Sequence, residues 1–419
     1  MSDPSLIKIR SYQVGFGDCF LLSIIYRDGS NRHILIDFGT TAMPRFSRHS
    51  LLEIAKDIRE VTCGKLHAVV ATHRHADHIS GFAGKSGKII ADLKPDIVIQ
   101  PWTEDPEAQP EAAAFLPSAS TKRFLAGLNQ IPALASHVLR EIENLEVTGT
   151  VRNQLQFLGM ENLKNTPAVK SLTNMSADHR YLHYGQPSGL EGVLPGVRVR
   201  VLGPPTLQQL PDIERQRAED EAEFWHLQAF GASFSSKPLK RLFRKADCAD
   251  MDMLPFEVRW FLPRLEAVRG DQLLEIVRIL DRSLNNTSLI LLFEVGSKKL
   301  LFPGDAQIEN WSYALKSAPD HEEVCELLSQ VDVYKVGHHG SLNATPKSLW
   351  KLFAKKGTAG KPGRLRTIMS TMAGQHGSTY RQTEVPRRTL VEELKSHSEH
   401  FSTQHLRGKT FFKDFEIPV

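Results

Sequence analysis

The sequence predicts an α/β fold, on three observations. Short β-rich runs alternate with stretches of helical spacing over much of the 419 residues. The cluster Thr72-His73-Arg74-His75-Ala76-Asp77-His78 directly follows the apolar run Leu66-His67-Ala68-Val69-Val70-Ala71, which reads as a buried strand with the cluster at its C-terminal end. Polar groups also end other apolar runs, at Ile36-Asp37-Phe38-Gly39, Phe302-Pro303-Gly304-Asp305 and Val336-Gly337-His338-His339. Strand ends of an α/β sheet share one rim, where ligands are usually bound.

The elements follow in order. Leu6-Ile7-Lys8-Ile9-Arg10 alternates apolar and polar residues, and Phe20 to Tyr26 and His33 to Phe38 are β-rich runs joined by the turn signal Asp28-Gly29. Helical spacing covers Ser50 to Val61, and Asp96-Ile97-Val98-Ile99-Gln100 predicts another strand. The stretch from about 104 to 195 breaks this rhythm, beginning with a Pro-, Glu- and Ala-rich segment. Val197 to Leu202 restores a strand that Gly203-Pro204-Pro205 stops, and a second excursion runs from about 206 to 283. Strands then return at Leu289 to Val295, Lys299 to Phe302, Val331 to Val336 and Thr367 to Ser370. Helices fit Ile308 to Lys316, Glu322 to Ser329 and Arg387 to His397. Neither excursion has a self-sufficient core pattern, so both are read as insertions into a single domain spanning 1–419.

Composition narrows the class without choosing a partner. Lys plus Arg is 52 against 48 Asp plus Glu, and a net charge of +4 neither demands nor excludes a polyanion. Cys19, Cys63, Cys248 and Cys325 are scattered with no CxxC pair, which suits a reducing compartment. The N-terminus lacks a basic start followed by an apolar core, and no apolar run approaches the roughly 20 residues of a membrane helix. The expectation is a soluble cytoplasmic protein that does not engage a membrane.

Packing does not call for three imidazoles in six positions. His73 and His75, two apart on an extended loop, can bind one ion, and Asp77 and His78 can turn toward a second. Imidazole nitrogen and carboxylate oxygen suit Zn2+ or Mn2+. The run Lys237, Lys240, Arg241, Arg244 and Lys245 reads either as a solvated helical face or as a phosphate clamp, with Trp225 and Phe243 as stacking candidates or core residues. Arg381, Arg387 and Arg388 are a second candidate for phosphate contact.

Asp37, the His73-x-His75-x-Asp77-His78 run and Gly304-Asp305 resemble successive motifs of the metallo-β-lactamase-fold hydrolases. Within that superfamily, Val14-Gly15-Phe16-Gly17-Asp18-Cys19-Phe20-Leu21-Leu22 is similar to the opening of the hydrolase domain of ComEC-type DNA-uptake proteins. Asn286-x-Ser288-Leu289-Ile290-Leu291, Leu300 to Ala306 and Lys335-Val336-Gly337-His338-His339-Gly340-Ser341 match later signatures in order. The likeness covers roughly 6–103 and 196–395, less the second excursion.

The resemblance implies a four-layer αββα metallo-β-lactamase sandwich carrying two divalent ions. By it, His73 and His75 hold the first ion, Asp77, His78 and His338 the second, and Asp305 bridges both. Asp37 orients a ligand from behind, with Asn286 and Ser341 in supporting positions. His339 is then an outer or acid group. Asp77, Asp305, His339 and Lys335 form the expected catalytic set, with Lys335 or His339 assisting a leaving oxygen. The third histidine that many relatives supply to the first ion is missing, since Asn285-Asn286-Thr287-Ser288 stands there. His179 and His183 are the candidates to fold back. Where relatives often show a Tyr-Gly-His-Pro loop, this chain has Tyr380-Arg381-Gln382 with His376 upstream, which makes His376, Tyr380 and Arg381 candidate substrate contacts.

The implied function is metal-dependent hydrolysis of a phosphodiester, with nucleic acid, DNA above all, as substrate. Two alternatives stand beside it. The same core serves acyl chemistry, so a small ester, lactone or cyclic nucleotide is the second reading. The missing histidine prompts the third, a metal-binding regulatory protein with impaired catalysis.

Overall fold

The computed structural model describes residues 3–44, 49–106, 165–210, 284–343, 345–377, 379 and 383–419. Pro4–Tyr12 (β1), Cys19–Tyr26 (β2) and Asn31–Phe38 (β3) form an antiparallel meander. The β2–β3 turn closes where expected: Gly29 takes φ 80°, and its N–H donates to the Tyr26 carbonyl at 3.0 Å. Helix Leu51–Val61 (α1) leads to Ala68–Val70 (β4), the single turn Ala76–Ile79 (α2), Gly84–Asp92 (α3) and Ile97–Pro101 (β5). Thr166–Asn174 (α4) and Asp178–Leu182 (β6) follow, and β4, β5 and β6 extend the sheet in parallel from β3.

A second sheet repeats this circuit. Val197–Gly203 (β7), Ile290–Val295 (β8) and Lys298–Phe302 (β9) are antiparallel. Ile308–Ser312 (α5), prolonged by a π turn over Tyr313–Ser317, and His321–Ser329 (α6) then lead to Val333–Lys335 (β10). Lys347–Leu352 (α7), Arg366–Met369 (β11), Arg388–His397 (α8) and Glu399–Ser402 (β12) complete it, with β9 to β12 parallel. Phe412–Pro418 (β13) crosses back to pair with β1, giving orders β13-β1-β2-β3-β4-β5-β6 and β12-β11-β10-β9-β8-β7.

Burial explains the layers. Nearly every residue of β2 is buried, because Phe20, Leu22 and Ile24 enter the core between the sheets while Cys19 and Leu21 pack outward. The inner core joins both sheets, and Phe302 meets Phe20 and Phe293 edge-on at centroid distances of 5.9 and 5.8 Å. Such pairs add about 0.5–1.5 kcal/mol beyond area burial. Ile54, Ala55 and Ile58 of α1, Ile90 of α3 and Leu172 of α4 cover the outer face of the first sheet. Trp311, Val324, Leu328, Leu349, Leu390 and Leu394 cover that of the second. The result is the αββα sandwich.

Two expectations shift. Residues 165–195 lie within the first predicted insertion, yet α4 packs on the outer face and β6 is a strand of the first sheet. That stretch is part of the sandwich; the remainder of both insertions lies mostly outside the described residues. The chain end also contributes more than its pattern suggested. Arg10 on β1 donates from Nε and Nη2 to Asp414 on β13 at 2.7 and 2.8 Å, and from Nη1 to Asp57 of α1 at 2.8 Å.

Candidate metal centre

The site grows from strand ends. Beyond β4, the Thr72 N–H and hydroxyl donate to Oδ1 and Oδ2 of Asp37 at 2.7 and 2.8 Å. Asp37, near the end of β3, adopts φ 55°, a left-handed conformation uncommon outside glycine. Its Oδ2 also meets Nδ1 of His78 at 2.8 Å. The ring's other nitrogen therefore turns inward. His73 Nε2 and His75 Nδ1 face each other at 2.9 Å, both rings buried. Thr72 accepts from the Leu289 N–H at 2.9 Å, tying this loop to the second sheet.

The second sheet supplies the opposite wall. Gly304, after β9, takes φ 54°, and a Cβ there would lie 2.8 Å from Thr72 Cβ, so only glycine lets the two loops close. The next residue, Asp305, points into the centre. After β10, His338 and His339 are both left-handed, at φ 40° and 52°. Two such residues in succession are strained and need surrounding structure to hold them. The His339 ring bonds the Ser370 carbonyl through Nδ1 at 2.9 Å and Asp77 Oδ2 through Nε2 at 2.8 Å. Phe16 lies against it at 4.4 Å.

Two groups of metal-competent atoms result, each within 4.8 Å internally: His73, His75 and Asp77, and Asp77, His78, Asp305 and His339. Asp77 belongs to both. Asp77 Oδ1 is buried with no hydrogen-bond partner among the described residues. His78 Nε2 and Asp305 Oδ2 lie only 3.1 Å apart, so a buried nitrogen and a buried carboxylate oxygen converge where a cation would sit. The outer nitrogens of His78 and His339 are anchored on Asp37 and Ser370, as ligating imidazoles usually are. A third group, Asp18, Asp37 and His78, faces the Lys335 ammonium, which suits it poorly to an ion.

The electrostatics agree. Burial opposes ionisation of Asp305, but His78, Lys335 and His339 outweigh it and hold the carboxyl well below its ordinary range. Burial likewise opposes Asp77, and His78 and His339 bring it down to about 2. For His78 burial disfavours the cation, while Asp305, Asp77 and Asp37 pull its pKa up. His73 goes the other way: burial, then His78 and His75, keep it neutral. Burial likewise disfavours the His339 cation, while Asp305, Asp77 and Asp18 pull its pKa up. The ionised carboxylates thus draw positive charge onto the imidazoles beside them, the place a bound cation would take.

The structure reorders one expected pair. His339, expected outside, joins Asp77, His78 and Asp305. His338, expected as ligand, is half-buried, with Nδ1 on the Ser341 hydroxyl at 2.8 Å and Nε2 3.4 Å from Asn285 Nδ2. The left-handed turn decides which of the adjacent rings faces in. Asn286 bonds Glu309 at 2.9 Å, away from the ligand atoms, whereas Ser341 supports His338. His179 bonds Gln100 on the sheet edge and His183 the Tyr184 carbonyl, so neither joins the groups. His376 is half-buried, 6.3 Å from the Phe16 ring. Arg387 is buried and paired with Glu384, and Arg388 pairs with Glu392 on the surface. Tyr380, Arg381, Trp225 and the run from Lys237 to Lys245 lie outside the described residues.

Sequence reasoning assigned no role to Asp18. It is fully buried and paired with Lys335, and its backbone N–H donates to the Asp77 carbonyl at 3.0 Å. Its signal was present: an aspartate after Gly15-Phe16-Gly17, immediately before a strand.

A family model described as the metallo-beta-lactamase superfamily matches residues 13–144, a range that includes Asp18, Asp37 and the His73–His78 run. No curated protein matches the chain. The match and the sandwich architecture agree, and together with the His/Asp groups they suggest a metal-dependent hydrolase. No helix among the described residues is long and apolar enough to cross a membrane.

Proposed function

We propose that this protein is a metal-dependent phosphodiesterase that cleaves DNA. The observation that carries the reading is the pair of adjacent ligand groups sharing Asp77, the arrangement two divalent ions side by side require. The likeness of Gly15–Asp18 and Lys335–Ser341 to ComEC-type domains favours a phosphodiester over an acyl substrate. Bound Zn2+ or Mn2+ supplies a water of lowered pKa and offsets negative charge on a phosphoryl group.

The chain's own residues do the rest. Asp77 and Asp305 would supply anionic oxygens, and His78 and His339, anchored from behind through Nδ1, direct their Nε2 atoms toward those oxygens. His338, half-buried beside them and bonded to Ser341, is the candidate proton donor to the leaving oxygen.

The test incubates purified protein with Mn2+ or Zn2+ and single- or double-stranded DNA, with Asp305→Asn as control. Metal-dependent cleavage lost in the variant is the expected result. Turnover of small esters or lactones with DNA intact in every metal would overturn the reading.

A further inference from the structure

Lys335 was expected near a leaving group, but its surroundings give it other work. Its side chain, at the end of β10, is 3% exposed. The ammonium donates to the Gly304 carbonyl at 3.0 Å, lies 3.4 Å from Asp305 Oδ1 and is ion-paired with Asp18. Oδ1 of Asp305 also accepts from the His338 N–H at 3.0 Å. One carboxylate oxygen is thus engaged from two sides. The other, Oδ2, faces the ligand nitrogens, 3.1 Å from His78 Nε2 and 3.7 Å from His339 Nε2.

Asp18 fixes the lysine. Its N–H is held by the Asp77 carbonyl, and its own carbonyl accepts from the Gly39 N–H at 3.0 Å, so it cannot shift without moving both loops of the first sheet. A flexible lysine stem does not lock itself; the buried carboxylate at its tip does. A buried ion pair is weak evidence for stability, and its retention calls for another reason.

We propose that Asp18 and Lys335 are positioning residues that occupy Oδ1 of Asp305, so that Asp305 binds metal through Oδ2 alone. The inference rests on Asp305 being a ligand.

The test uses the full chain with Asp18→Asn and Lys335→Met combined, which removes both buried charges together. Co2+ serves as probe, followed by calorimetric titration and by its visible absorption. The expected result is a cooperative melt like that of the wild type and Co2+ affinity lowered roughly 10–100-fold at one site, the usual cost of losing a partner behind a ligand. The visible band weakens, as Asp305 turns to bind through both oxygens and raises the coordination number. A folded double variant with wild-type Co2+ affinity and spectrum overturns the proposal. So does loss of the cooperative melt, which would make the pair structural. Wild-type Co2+ binding that Asp305→Asn leaves unchanged overturns this proposal and the metal-centre reading together. Co2+ binding that depends on Asp305, with DNA uncut, counts only against the phosphodiesterase reading.

Discussion

From β1 to β6, and again from β7 to β12, the chain makes the same circuit: an antiparallel meander whose third strand begins a parallel run of four. The two circuits meet at one rim but furnish it differently. The first delivers His73, His75, Asp77 and His78 from one loop after its fourth strand. The second delivers Asp305 after its third strand and His339 after its fourth, 34 residues on in a separate loop. Support differs as well. In the first circuit a side chain, Asp37, anchors the ligand ring; in the second a main-chain carbonyl, that of Ser370, does so. A contiguous motif can announce a metal, while the dispersed half acquires meaning only when the fold brings it opposite.

The largest effect follows from the residue that both groups share. Asp77→Asn removes a carboxylate from each group, and His339→Ala removes a ligand from one. Asp77→Asn is expected to leave less than one ion per chain after dialysis. Both variants are expected to lose hydrolytic activity by more than about 100-fold, beyond the loss of a mere supporting partner. His338→Ala should retain its ions, because its imidazole lies outside both groups. Metal analysis of the three variants decides the matter, and metal lost from the His338 variant but kept by the His339 variant would reverse the assignment.

The same asymmetry explains what the sequence revealed. The alternation in β1, the turn at Asp28-Gly29 and the apolar run before His73 are local signals, and each became the element it predicted. The strand β13 was missed because its stabilising partner is β1 at the opposite end of the chain, and Arg10 with Asp414 is a contact between residues 404 apart. Asp178–Leu182 is largely polar and half-exposed, so nothing local marked it as β6. The choice between His338 and His339 turns on backbone φ, which two adjacent identical residues cannot encode by themselves. Asp18 and Lys335 were invisible as a pair for the same reason as β13.

The difference in support gives the next contrast. Asp37→Asn keeps the size of the side chain but offers an amide where His78 Nδ1 and the Thr72 hydroxyl now meet a carboxylate. The ring loses its fixed tautomer, and metal affinity is expected to fall about 10–100-fold. Ser370→Ala removes a hydroxyl that bonds the Gly17 carbonyl but leaves the main-chain carbonyl that holds His339. Its metal affinity should stay within about twofold of wild type. Titration with Mn2+ compares the two directly, and equal losses would mean that the anchors of the two circuits are interchangeable.

The smallest effect concerns the opposite rim. There His33 and His67, ahead of β3's core and β4, are pushed down to about 4, chiefly by burial; in the second circuit His400 on β12 is pushed down to about 4 by the same cause. The geometry adds a reason for the first pair, since Nδ1 of His67 accepts the His33 N–H at 3.1 Å and cannot do so once protonated. A folded pKa below the unfolded value of about 6.5 means that the unfolded chain binds more protons between the two. This stability is therefore complete above about pH 6.5 and is lost as pH falls toward 4. Acidification from pH 7 to 4.5 is expected to lower the melting temperature, with His67, only half-buried and screened by solvent, contributing less than His33 and His400. Two of the three histidines sit in the first circuit, so amide exchange at pH 4.5 should accelerate more in β3 and β4 than in β11 and β12. An equal acceleration in both sheets would show that the acid response belongs to the sandwich as a whole and not to the His33–His67 contact.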